Sequence, residues 1–97
     1  MPLTAKQKSF LRSQAHSLKP VVTAGSAGLT EAVIKEIILA LEHHELIKVK
    51  ISCGDRQERA DIIEKTCKKI GCEKVQSIGR IAVFYLAAKK PTIKLPN

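Results

Sequence analysis

The chain has no tryptophan, one tyrosine and two phenylalanines. Three aromatics cannot build a platform that stacks successive nucleobases. Phe84 and Tyr85, adjacent on an expected strand, would also face opposite ways. Cysteine is scarce too: three residues, an odd number and too few for a disulfide framework, make a reducing cytoplasm the expected setting. Cys67 and Cys72 lie close together with Cys53 distant, which is not a zinc-site spacing, so they read as buried or idle thiols. No metal or other cofactor is expected. No apolar run approaches the 18 residues of a membrane span, and the opening MPLTAKQK lacks the apolar core of a secretion signal. Acid is the last shortage: nine Asp and Glu stand against 17 Lys and Arg.

What is present is a chain of 97 residues, 44% hydrophobic and 27% charged, which predicts one globular domain. The net charge of +8 is unevenly spread. Residues 1–20 carry +4 from Lys6, Lys8, Arg12 and Lys19, and residues 73–97 carry another +4. Residues 21–54 sum to −1 and residues 55–72 to +1. A polyanion partner is the natural reading, with basic charge for solubility alone as the alternative.

Hydrophobic periodicity alternates between helix and strand. Thr4 and Gln7 form a capping box for a first helix running to about His16, with Leu3, Phe10 and Leu11 inward. Pro20 biases Lys19 toward extended backbone, and Val21–Thr23 reads as a short strand. Thr30 caps a second helix whose Val33, Ile34, Ile37, Ile38 and Leu41 recur at helical spacing. Residues 46–51 alternate with period two, Ile47, Val49 and Ile51 on one face, Lys48 and Lys50 on the other. Asp55 caps a third helix with Ala60, Ile63, Cys67 and Ile70 inward and Gly71 as its stop. Residues 75–78 and 81–86 form a hairpin around Gly79-Arg80. The last run is apolar on both faces, which puts it inside a sheet. The predicted fold is α/β in the order α-β-α-β-α-β-β: a four-stranded mixed sheet, helices two and three on one face, helix one at the edge or opposite face. The tail from Lys89-Lys90-Pro91 onward is expected to fray.

Gly25-Ser26-Ala27-Gly28, between a strand and a helix, lets backbone approach a ligand and offers helix N–H groups to a phosphate; the alternative is a plain turn. It is neither a phosphate-binding Walker loop nor a dinucleotide fingerprint. His43 and His44 suit the C-terminus of the second helix electrostatically, and acid–base cleavage of RNA is the sharper alternative. The candidate RNA contacts are therefore Gly25, Ser26, Ala27, Gly28, Lys6, Lys8, Arg12, Lys19, Lys48 and Lys50, recognising backbone and shape rather than stacked bases.

Three stretches then carry a likeness: LKPVV-x-A-GSAG-LTEAVI, ALEHHELIKVKIS, and Ile78-Gly79-Arg80 shortly before Tyr85. In unbroken order from about Leu3 to Tyr85 they resemble the bacterial YhbY proteins, stand-alone CRM (chloroplast RNA splicing and ribosome maturation) domains. The resemblance implies an α/β domain similar to the C-terminal domain of bacterial translation initiation factor 3. It also implies binding to ribosomal RNA in precursors of the large ribosomal subunit. The family's GxxG loop falls on Gly25–Gly28. Where family members often carry a basic or amide residue between the glycines, this chain has Ser26 and Ala27. Leu86 follows Tyr85 where many members have arginine. The expectation is a monomeric, non-enzymatic RNA-binding assembly factor. The alternatives are a permanent ribosomal protein and a small RNA-cleaving enzyme using His43 or His44.

Overall fold

The computed structural model describes residues 3–97. Its elements follow the expected order: α1 (Ala5–Ala15), β1 (Pro20–Ala24), α2 (Glu31–His44), β2 (Leu46–Ile51), α3 (Arg56–Ile70), β3 (Glu73–Ile78) and β4 (Ile81–Tyr85). All three helix starts are the capped ones. Thr4, Thr30 and Asp55 each accept a hydrogen bond from the backbone N–H three residues on. At Thr4 and Asp55 the reciprocal bond from Gln7 and Glu58 completes a capping box. Gly71 ends α3 in the left-handed conformation that a side chain disfavours.

The sheet order is β1-β2-β4-β3, with β1 parallel to β2 and β4 antiparallel to both of its neighbours. The crossover through α3 therefore skips a place: β3 runs parallel to β2, but β4 fills the slot between them. That is the inside position its two-sided apolarity demands. Phe84 points into a core with Val22, Ile37, Leu41, Ile47, Val49, Ile51 and Ile63 beneath α2 and α3. Val83 and Tyr85 face a second core with Leu11, Ala15, Leu46 and Val75 beneath α1. The first helix thus lies on the opposite face, and Leu11, fully buried, is its anchor. Truncating Leu11 to alanine would cost about 2–5 kcal/mol. Two inward expectations give way: Ile38 stays exposed beside Leu39, and Ala60 is exposed. The stripe on α2 is narrower than its apolar content, because only Ile37 and Leu41 reach full burial.

The tail differs most from the sequence reading. Instead of fraying, it is tied to Glu45, the residue between α2 and β2. Glu45 is 2% exposed and has φ of +62° with ψ of −37°, a positive-φ backbone outside the left-handed helical region and rarely adopted by residues with side chains. Its carboxylate accepts hydrogen bonds from the amides of Ala88 (2.9 Å), Thr92 (2.7 Å) and Ile93 (3.0 Å) and from the Thr92 hydroxyl. Ile93 and Leu95 consequently pack against the α1 core, and Gln7 Nε2 donates to the carbonyl of Pro96. Backbone held in so sparsely populated a region costs roughly 1–3 kcal/mol. Each hydrogen bond to a charged acceptor contributes about 1.5–3 kcal/mol, so the clamp outweighs the strain. Composition read the segment as loose because a buried carboxylate acting over more than 40 residues leaves no local signal.

Burial alone would raise the Glu45 carboxyl. The hydrogen bonds from Thr92, Ala88 and Ile93 more than offset it and lower the pKa from 4.5 to about 2. A depressed acid pKa stabilises the fold fully above the unfolded value and loses that contribution as pH falls through the folded one. The clamp should therefore hold at neutral pH and weaken from about pH 4.5 down to pH 2. Glu45→Ala should release the tail at neutral pH, seen as faster amide hydrogen exchange at Ala88, Thr92 and Ile93. Unchanged protection there would show that Ile93 and Leu95 hold the tail without the carboxylate.

Candidate nucleic-acid interface

Helix α1 covers only part of its sheet face. Leu46, Val83 and Tyr85 lie beneath it, and further along the same face Lys48, Lys50 and Ile81 emerge. Lys48 pairs across the sheet with Val83 and Lys50 with Ile81, so the two lysines follow the strand pleat onto the uncovered end. Between this end and α1 lies a cleft of about 600 Å3 whose polar walls are Arg12, Ser13, His16, Lys48 and Gln76.

A second cleft of about 850 Å3 runs along the free edge of β3 between α1 and α3. Arg12, Arg56, Arg59 and Lys74 line it, and among the described residues no carboxylate does. Arg59 Nη1 donates to the carbonyl of Gly54 at 2.7 Å, while its Nε is buried with no partner. The single salt bridge among the described residues joins Lys68 to Glu64 at 3.1 Å on the exposed face of α3. The cations of both clefts are thus unpaired by carboxylates. Sequence reasoning missed Arg56 and Arg59 because residues 55–72 sum to nearly neutral, and Lys74 because only the packing of α1 and α3 beside β3 brings it to them. Two of the acids in that sum, Asp55 and Glu58, are occupied in the capping box. The spacing of Arg56 and Arg59, three apart in the first turn of α3, was the available signal.

The Gly25–Gly28 loop lies at the same end of the sheet as the β3–β4 turn. Ser52 N–H donates to Ala24 carbonyl (2.9 Å) and Ile51 N–H to Arg80 carbonyl (2.6 Å), drawing three connections together. The loop is a turn closed by Gly28 N–H donating to Gly25 carbonyl at 2.9 Å. Gly28 has φ of +74°, whereas Gly25 has ordinary backbone with open space where a Cβ would stand. Gly28 N–H is thereby committed, and Glu31 puts a carboxylate in the first turn of α2, where a phosphate would otherwise be favoured. The Ser26 hydroxyl and the exposed backbone around Ala27 remain available.

The ten candidate residues do not form one cluster. Lys50 and the loop share one end of the sheet, and Lys48 and Arg12 share the face cleft. Lys8 lies beside Glu73 and Lys74 near the start of β3, at the outer side of the edge cleft. Lys19 precedes β1 and lies about 17 Å, one strand length, from the loop. Lys6 is exposed near the start of α1 and lines neither cleft. His43 and His44 are exposed at the far end of α2, about 21 Å from its start, with ring centroids 6.3 Å apart. The Cys72 thiol, hydrogen-bonded to Cys67 and buried, is pushed strongly upward and stays protonated. Among the described residues no group of three His, Cys, Asp or Glu side chains is placed to hold a metal, and no helix is long and apolar enough to cross a membrane.

A two-sided α/β sheet with one face left partly bare and lined by unpaired cations has the form of a polyanion-binding domain. Residues 3–85 match the CRS1/YhbY (CRM) domain, and the chain belongs to that family. It is 47% identical over 95 residues to a Haemophilus influenzae protein named "RNA-binding protein", covering 98% of this chain and 96% of that one. It is 41% identical over 95 residues to "Probable RNA-binding protein YqeI" of Bacillus subtilis, covering 97% and 99%. Its fold is similar to the solution structure of hypothetical protein SAV1595 from Staphylococcus aureus, with a TM-score of 0.85 at 38% identity over 97% of this chain and 99% of that one.

Positive φ makes the two loop glycines unequal. Gly28→Ala should destabilise the protein by about 1–2 kcal/mol in urea denaturation. Gly25→Ala should fall within about 0.5 kcal/mol of the parent. Equal effects would mean that the turn rearranges.

Proposed function

We propose that the protein binds RNA without chemically altering it, and that it does so as an assembly factor on precursors of the large ribosomal subunit. The observation that carries the RNA reading is the partly bare sheet face, where Arg12 and Lys48 line one cleft and Lys50 stands further along at the end that carries the glycine loop, cations with no carboxylate partner. Phosphate diesters satisfy such groups, and release of their counterions supplies much of the affinity. The names of the Haemophilus influenzae and Bacillus subtilis relatives support the same partner. The ribosomal assignment rests on family resemblance alone. The protein is proposed to act as a monomer in the cytoplasm.

We read the histidine pair as helix-end residues rather than as a catalytic pair. They sit at the opposite end of α2 from the loop, so a phosphate held at the loop is out of their reach for general acid–base cleavage.

RNA affinity should fall steeply with salt, log Kd changing against log salt with a slope of about 3 to 4 in magnitude for three to five neutralised phosphates. Filter binding at several salt concentrations measures it, and a slope near zero would sink the polyanion reading. Ser26→Asp, which adds a negative charge at the loop without touching a positive-φ residue, should weaken binding roughly tenfold. Under the same conditions His43→Ala and His44→Ala should leave the RNA whole. Crosslinking in cells with sequencing of the attached RNA, followed by gradient sedimentation, tests the ribosomal assignment. Recovery in mature ribosomes rather than precursors would favour a permanent ribosomal protein.

A further inference from the structure

The two basic clefts share a wall. Gln76 and Ile78 of β3 line both of them, and Arg12 reaches both from above. Strand β3 and its turn at Gly79-Arg80 therefore stand as a ridge between two cationic channels. One holds Lys48 and Arg12, with Lys50 beyond it on the same face; the other holds Arg56, Arg59 and Lys74. Two strand spacings, about 10 Å, separate β2 from β3, so a single phosphate chain lying in one channel leaves the other empty.

The ridge itself has an unusual surface. Ile78 is 64% exposed, the most exposed large apolar side chain described, and Ser77 and Gly79 beside it are also exposed. A small, weakly polar ridge between two rows of cations is complementary to two phosphate strands with a shallow groove between them. A-form RNA presents that form, because its minor groove is wide and shallow and lined by ribose 2′-hydroxyls. Single strands lack the second row, and they are read by stacking on aromatic side chains, which this surface does not have.

We infer that the protein binds double-stranded RNA by laying the β3–β4 ridge into the minor groove, with one phosphate strand in each basic channel. This rests on the RNA reading above and narrows it to a duplex. Ile78 packs against ribose, Ser77 and Gln76 reach 2′-hydroxyls, and Arg59, in the wall of the edge cleft with no carboxylate partner, faces a phosphate there.

The test is a fluorescence-anisotropy titration with an RNA duplex of about 16 base pairs, its isolated strand, and a DNA duplex of the same sequence. The RNA duplex should bind at least tenfold more tightly than either competitor. Two double variants, Lys48→Ala with Lys50→Ala and Arg56→Ala with Lys74→Ala, should each lower duplex affinity about tenfold. Each should also flatten the salt slope by one to two units, because each removes contacts to a different strand. Ile78→Asp should weaken the duplex by a similar factor, with circular dichroism melts confirming that every variant folds. Equal binding of strand and duplex would overturn the inference and keep the RNA reading. So would an edge-cleft variant that binds the duplex like the parent. Binding of no RNA at all would remove both.

Discussion

Strand β4 is apolar on both faces, and the arrangement of everything else follows from that. A strand with Phe84 on one side and Val83 and Tyr85 on the other must have cover above and below. Two helices, α2 and α3, cover one face. Only α1, with two fully buried residues, is available for the other. The shortfall is met at one end by Ile93 and Leu95 of the tail and left unmet at the other, where Lys48 and Lys50 stand in place of apolar residues. The bare, charged region is thus a consequence of unequal helix supply, and it is where a ligand finds room.

Glu45 links the two halves of that solution. It ends α2, starts the turn into β2, and anchors the segment that finishes covering α1. A carboxylate buried without partners would neutralise itself. This one stays ionised because four donors converge on it. The strain at its backbone and the order of the tail are two sides of a single local arrangement.

The elements were legible because their signals are local: Thr4, Thr30 and Asp55 announce helix starts, Gly71 a stop, and the alternation of Ile47, Val49 and Ile51 a strand. The inside position of β4 could also be read, since burial on both faces shows as an uninterrupted apolar run. The tail could not, because its partner lies 43 to 48 residues away and is a lone glutamate in sequence. The same limit applied to the interface. Lys48 and Lys50 were visible from strand alternation, but Arg56, Arg59 and Lys74 meet Arg12 only once α1 and α3 pack on either side of β3. Charge summed along residues 55–72 hid the two arginines, and charge arranged in space brought them to Lys74 and Arg12.

The bond between Gln7 and Pro96 spans 89 residues, nearly the whole length of the chain. Helix α1 thus depends on Ile93 and Leu95, which lie about 80 residues further along the chain. Without the docked tail, Phe10 lacks part of its cover and Glu45 has none of its donors. Loop closure over such distances is slow relative to local helix formation. All four strands, α2 and α3 lie within residues 20–85 and need nothing from the tail, whereas the α1 face is completed only when the tail docks. A chain cut before residue 88 would keep all four strands but leave Glu45 without its donors and part of the α1 core uncovered, an exposed apolar surface prone to aggregation.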